Sequence, residues 1–207
     1  MELWLVRHGQ TEANSRGEIQ GQTESPLDAT GISQAKLLVG KLKKETFDAV
    51  YSSDLGRALN TARILAPDRI IEVIPELREW ALGNWEGRLI RDIQEEDPVL
   101  WKRLYDDSDL EFWPGGRGES RREMQARVRN LLESFAKRHG GEKILVISHG
   151  GFLRAAFRYI MGNEMSGMPL TSNTSLNILT NDGDGWKIVR WNDLSHLRNM
   201  DGSIIAV

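Results

Sequence analysis

The sequence predicts an α/β fold built on a largely parallel sheet, and three observations carry that prediction. Short apolar runs alternate with stretches of helical period, the pattern of strand–helix–strand units. Several of those runs are continuous rather than alternating, as expected of buried parallel strands. Near the end, two further runs flank Asn181-Asp182-Gly183-Asp184-Gly185, a hairpin signal that would close the sheet antiparallel.

Taken in order, Leu3-Trp4-Leu5-Val6 predicts the first strand and Ala49-Val50-Tyr51 the second. Ile70 to Ile74 and Ile144 to Ile147 predict two more, and Ser175–Thr180 with Lys187–Trp191 the hairpin. Ile32, Ala35, Leu38, Val39 and Leu42 keep a helical period behind a Thr30 cap; Leu55, Ala58, Leu59, Ala62 and Leu65 do so behind Asp54. Ser120 and Glu123 form a capping-box pair opening a helix through Met124, Val128, Leu131, Leu132 and Phe135, stopped at His139-Gly140-Gly141. Phe152, Leu153, Ala156 and Phe157 mark another after Ser148-His149-Gly150-Gly151. No repeat or linker divides the chain, so residues 1–207 read as one domain. Residues 80–118, the least regular and most aromatic stretch, read as an insertion over one face.

Composition narrows the function. Hydrophobic residues at 40% and charged residues at 28% are those of a globular protein. A net charge of −3 argues against a nucleic-acid binder. The basic spot at Arg121 and Arg122 is mixed with Glu119 and Glu123 and reads as a solvated helix face. The absence of cysteine excludes disulfides, thiolate catalysis and cysteine-ligated zinc. No signal peptide precedes the first strand and no apolar run approaches a membrane span, so the expectation is a cytoplasmic protein.

Four chemistry-bearing features follow predicted strands: Arg7-His8-Gly9, Ser52-Ser53-Asp54 with Arg57 behind it, Glu79, and Ser148-His149-Gly150. In open α/β sheets ligands bind at the carboxyl ends of the strands, so parallel neighbours would bring these segments together. With Asp54 as cap, Arg57 falls at the third helical position, where the helix dipole opposes a cation by roughly 0.3–1 kcal/mol. A bound anion would reverse that sign; the alternative is an arginine turned to solvent or paired with Asp54. His8 and His149 occupy matched strand ends, each before a glycine that lets backbone approach closely. As metal ligands they are poorly placed, since Arg7 and Arg57 would repel a divalent cation and no HExxH spacing exists. A GxxxxGK-S/T phosphate loop, a GxGxxG turn and a GxSxG elbow are all missing.

These residues resemble the histidine phosphatase superfamily, the phosphoglycerate mutase-like group. LVRHGQTEAN (Leu5 to Asn14) is similar to its signature, and the likeness continues through QGQTESPLDATG, YSSDLGRALNTA, LREWALGNWEG and VISHGG. The resemblance implies a three-layer sandwich with a six-stranded, mostly parallel sheet and a lid. It implies that His8 is the phosphorylated nucleophile and Glu79 the general acid and base. Arg7, Arg57 and a protonated His149 would hold the phosphoryl oxygens, with Asn14, Gln20, Gly21 and the Gly150 backbone nearby. No metal or other cofactor is implied, the partner is a small phosphate monoester, and homodimers are common in such relatives.

Three activities fit the pattern: phosphatase, phosphoglycerate mutase, or a pocket retained for binding alone. Trp80-Ala81-Leu82 follows Glu79 where mutases of the group carry a basic pair, and their longer basic insertion is missing. The segment resembles the short insertion of broad-specificity and α-ribazole phosphatases, so a phosphatase is expected. Trp80, Trp85, Trp101, Tyr105, Phe112 and Trp113 either form an apolar wall for the leaving group or pack the lid onto the body. Arg117, in a glycine-rich rim, is a candidate for a second anionic group of the substrate. His139 and His196 read as structural.

Overall fold

The computed structural model describes residues 1–106, 108–162 and 171–198. Its elements are β1 (Glu2–Arg7), α1 (Glu12–Arg16), α2 (Ala29–Leu42), β2 (Ala49–Ser52), α3 (Gly56–Leu65) and β3 (Ile71–Val73). There follow α4 (Ile90–Glu96), α5 (Pro98–Arg103), α6 (Arg121–Arg138), β4 (Lys143–Ser148), α7 (Gly150–Met161), β5 (Leu176–Asn181) and β6 (Trp186–Asp193). The six strands form one mixed sheet in the order β3-β2-β4-β1-β5-β6. β3, β2, β4 and β1 are parallel; the expected hairpin follows, with β5 antiparallel to β1 and β6 antiparallel to β5.

Strand periodicity divides the core. Leu3, Leu5, Ile144 and Val146 face one side, where α6, α7 and the lid cover them. Trp4, Val6, Leu145 and Ile147 face the other, against α2 and α3. The chain therefore leaves β1 toward one face and β4 toward the opposite face. Adjacent parallel strands whose connections diverge open a crevice at their carboxyl ends. Arg7 pairs with Ser148 in the register, so His8 and His149 are the next residues out on either side of that crevice.

The helix starts differ in detail from expectation. The α2 cap is Asp28, whose carboxylate accepts from Gly31 N at 2.7 Å. The α3 cap is Leu55, without a side-chain bond, because Asp54 is drawn into a two-contact pair with Arg78. The Ser120–Glu123 capping box of α6 is present.

Four of the six lid rings pack onto the body: Trp80, Trp85 and Phe112 belong to the buried core, with Trp101 packed against it, whereas Tyr105 and Trp113 are exposed. The solvated-face reading fails for Arg121 but holds for Arg122, which is exposed and paired with Glu111. Arg121 is buried over the rings of Trp80 and Phe112 and donates to the carbonyls of Arg103, Leu104 and Asp109. Among the described residues, no helix is long and apolar enough to cross a membrane.

The loop after β1 rests on α2 through two glycines. A Cβ on Gly9 would lie 2.6 Å from Gly31 O, and one on Gly31 would lie 2.0 Å from Gln10 O. Both obstacles are backbone, so Gly31→Ala is expected to destabilise the protein by about 3 kcal/mol, read from the shift of its urea midpoint.

Candidate active site

His8 leaves β1 held from several sides. Its amide donates to Ser148 O at 2.9 Å, and its carbonyl accepts from Asn173 Nδ2 at 3.0 Å. Thr174 N lies 3.0 Å from Arg7 O and 3.3 Å from His8 O, a placement obtained with Thr174 at φ +55°. A β-branched residue in the left-handed region is strained, and such strain persists only where surrounding structure imposes it.

The imidazole of His8 is buried, with Nδ1 2.7 Å from Gly9 O. A carbonyl only accepts, so Nδ1 carries the hydrogen and Nε2 bears the free lone pair. The His149 ring stands 5.1 Å away, centroid to centroid. It is fully buried at the α7 cap position, and neither ring nitrogen has a partner.

Two guanidinium groups join the histidines here. Arg57, almost wholly buried at the second residue of α3, donates to Gly21 O at 2.6 Å and Thr23 O at 2.8 Å. Arg7 donates to Thr171 O. The Nε of each is buried and unpartnered. The anion that the start of α3 was expected to require is partly supplied by Glu24, whose carboxylate accepts from Gly56 N at 3.1 Å.

Glu79 completes the ring of groups. One carboxylate oxygen accepts from Trp80 N at 2.7 Å and the other from Gly151 N at 3.1 Å. A Cβ on Gly151 would come within 2.1 Å of that carboxylate. The close approaches admit protein groups: Gly9, directly after His8, admits Gly31, and Gly151, one residue beyond Gly150, admits Glu79.

The structure gathers His8, His149, Arg7, Arg57 and Glu79, with the Gly150 backbone beside Arg7 Nε. Gly21, at φ +52°, contributes the carbonyl that grips Arg57. Asn14 and Gln20 are tied to this loop through their side-chain oxygens: Asn14 Oδ1 accepts from Thr11 N and Asn173, and Gln20 Oε1 accepts from Thr11 Oγ1. Asn173, Thr174, Gln22 and Arg127 were not visible from sequence. Gln22 and Arg127 donate to the Glu79 carbonyl. Of the remaining histidines, His139 caps α6 between Tyr51 and Glu142, whereas His196 touches Thr174 Oγ1 and so braces the loop behind His8. Arg117 is exposed.

Burial depresses His8 well below the ordinary histidine range, and Arg57 and then Arg7 depress it further. His149 is lowered by burial first, then by Arg57, His8 and Arg7. The site without an anion thus holds a neutral His149, whereas the resemblance implied a protonated one. Burial also lowers Arg7 and Arg57, and Glu79 opposes it in both. His196 is lowered to about 4 by burial and Lys41.

Each of these three histidines stays neutral in the folded chain where the unfolded chain would take up a proton. The stability they contribute is complete above about pH 6.5 and is lost as pH falls below it. The expected loss is roughly 1.4 kcal/mol per histidine per pH unit, visible as a lower urea midpoint at pH 5.5 than at pH 7.5.

A buried cluster at strand ends, with unpartnered cationic donors around one imidazole lone pair, defines an enzyme acting on phosphate monoesters. The chain belongs to the histidine phosphatase superfamily (branch 1), which it matches over residues 3–194. It is 40% identical over 205 residues to a metal-independent phosphoserine phosphatase of Arabidopsis thaliana, covering 96% of this chain and 84% of that one. It is 35% identical over 170 residues to the adenosylcobalamin/alpha-ribazole phosphatase of Escherichia coli (strain K12), covering 81% and 83%. Among solved structures, a mutant phosphoserine phosphatase of Entamoeba histolytica with phosphoserine bound matches with a TM-score of 0.81 at 27% identity, covering 95% and 98%.

Proposed function

We propose that the protein hydrolyses small phosphate monoesters through a phosphohistidine on His8, with O-phosphoserine the first substrate to test. One observation carries this reading. Arg7 Nε, Arg57 Nε and both nitrogens of His149 are buried donors or acceptors without partners, and they surround a histidine whose Nδ1 is tied back. Leaving such groups unpaired costs about 1–3 kcal/mol each, which a phosphoryl group would relieve.

In the first step the Nε2 lone pair of His8 attacks phosphorus in line. The P–N bond forms as the P–O bond to the alcohol breaks, and Glu79, protonated, gives its proton to the leaving oxygen. Arg7 and Arg57 meet the charge on the equatorial oxygens, and an incoming dianion favours protonation of His149. In the second step Glu79, now a carboxylate, takes a proton from water as its oxygen attacks phosphorus. The P–N bond breaks, its electrons return to His8, and inorganic phosphate leaves.

O-Phosphoserine is favoured by the names of the relatives, and Trp80 directly after Glu79 supports hydrolysis over isomerisation. The test is a screen of phosphate monoesters in chelator, including O-phosphoserine, p-nitrophenyl phosphate, and 3-phosphoglycerate with and without 2,3-bisphosphoglycerate. Free phosphate is the expected product. Isomerised phosphoglycerate without free phosphate would overturn the reading, as would activity that chelator abolishes and one metal restores.

A further inference from the structure

We propose that the Arg127–Glu119 ion pair sets the position of Glu79 for proton transfer, making both of them positioning residues of the reaction; the inference rests on the acid–base role of Glu79 proposed above. Arg127 projects from the middle of α6, a helix whose start is fixed by its capping box. Its guanidinium meets the Glu119 carboxylate at two points, Nε to Oε1 at 2.8 Å and Nη2 to Oε2 at 2.7 Å. The remaining donors turn to backbone: Nη1 to Glu76 O at 2.7 Å and Arg78 O at 3.0 Å, and Nη2 to Glu79 O at 3.4 Å. Glu119 grips the same stretch from its other end. Its amide donates to Ala81 O at 3.2 Å, and its carbonyl accepts from Trp80 Nε1 at 2.8 Å.

Residues 76–81 are thus clasped on both sides of Glu79, and the carboxylate itself depends on that clasp. Its hydrogen bonds are to two backbone amides, Trp80 N and Gly151 N. Where Glu79 points is therefore decided by where the 79–80 backbone lies relative to α7. A misplacement of about 1 Å can cost on the order of 10²-fold in rate. Exposed ion pairs do little, but this one leaves only 19% and 15% of its two side chains accessible. The planar fork is also needed, since a lysine offers one point charge where Arg127 serves a carboxylate and three carbonyls.

A pair that merely stapled the lid would slow all substrates alike. A pair acting through Glu79 would slow those that need a proton on the leaving oxygen. The value of kcat/KM reports the steps through release of the alcohol. It should be measured on p-nitrophenyl phosphate, whose leaving anion is stable unprotonated, and on O-phosphoserine (or a better alkyl phosphate from the screen).

Glu79→Gln is expected to lose about 10²–10⁴-fold on the alkyl ester and far less on the aryl ester. Arg127→Met and Glu119→Gln are expected to lose roughly tenfold on the alkyl ester and less than about threefold on the aryl ester. The double variant Glu79→Gln/Arg127→Met should be no slower than Glu79→Gln alone. Should Arg127→Met melt below the assay temperature, Arg127→Lys is measured in its place and in the double variant.

Equal losses on both esters, or losses that multiply in the double variant while Glu79→Gln keeps its asymmetry, would overturn the positioning role and leave that of Glu79 standing. Absence of asymmetry in Glu79→Gln would instead remove the acid–base role of Glu79, and the proposal with it.

Discussion

His8→Ala is expected to lose at least about 10⁴-fold of phosphatase activity while the protein remains folded. With the imidazole goes the atom that would carry the phosphoryl group, and the buried hydroxyls nearby offer no replacement. Ser148 is buried with its hydroxyl donated to Leu77 O at 2.7 Å, and Ser52 donates to Ser53 O at 2.9 Å. Neither hydroxyl is free to replace His8. The His8 backbone is held by Ser148, Thr174 and Asn173 through its own amide and carbonyl, contacts that an alanine retains. Circular dichroism and the melting curve should therefore remain near those of the parent. The parent, quenched during turnover, should carry a phosphate label that survives base and is lost in acid, the signature of a phosphoramidate; His8→Ala should carry none. Turnover within tenfold of the parent would refute the mechanism.

The route to His8 was largely legible in the residues. Runs such as Leu3–Val6 and Ile144–Ile147 fall inside the observed strands, because burial of a parallel strand leaves a continuous apolar signal. Once those strands are neighbours, the rule that ligands sit at strand ends places His8 beside His149. The groups that went unseen act on backbone. Arg127 looks like one more cation on a charged helix, and Asn173 like a polar loop residue. Beside side-chain partners in Glu119 and Asn14, they reach the carbonyls of Glu76, Arg78, Glu79 and His8, which a sequence does not display. Arg121 misled for a related reason: its burial depends on Trp80 and Phe112 arriving from distant parts of the lid. The α3 cap went astray by one residue because Asp54 has a competing partner in Arg78, and the α2 cap by two because Asp28 reaches Gly31 N first.

The second large effect is expected at Arg57. Arg57→Met should lower kcat/KM by on the order of 10³-fold or more, the range lost when an arginine that meets transferring phosphoryl charge is removed. Stability has opposing contributions. The Gly21 and Thr23 carbonyls lose their donor, at about 1–3 kcal/mol each when buried. Against this, a buried cation is gone that desolvation and Arg7 disfavour, although Glu79 and Glu24 favour it. The net change is expected to stay within about 2 kcal/mol, so the activity loss would not be one of folding. The pH profile separates the two further. Arg57 is the second cause, after burial, holding both His8 and His149 below the ordinary range. Without it His8 takes up a proton at higher pH, and a protonated imidazole has no lone pair for phosphorus. The acid limb of kcat/KM should therefore shift toward alkaline pH in Arg57→Met. Sulfate, doubly charged across this range, should raise the melting temperature of the parent above a chloride control of equal ionic strength and do so much less for the variant. An unshifted acid limb together with near-parental activity would show that Arg57 faces no phosphoryl group, and that its buried place at the start of α3 serves only the loop at Gly21 and Thr23.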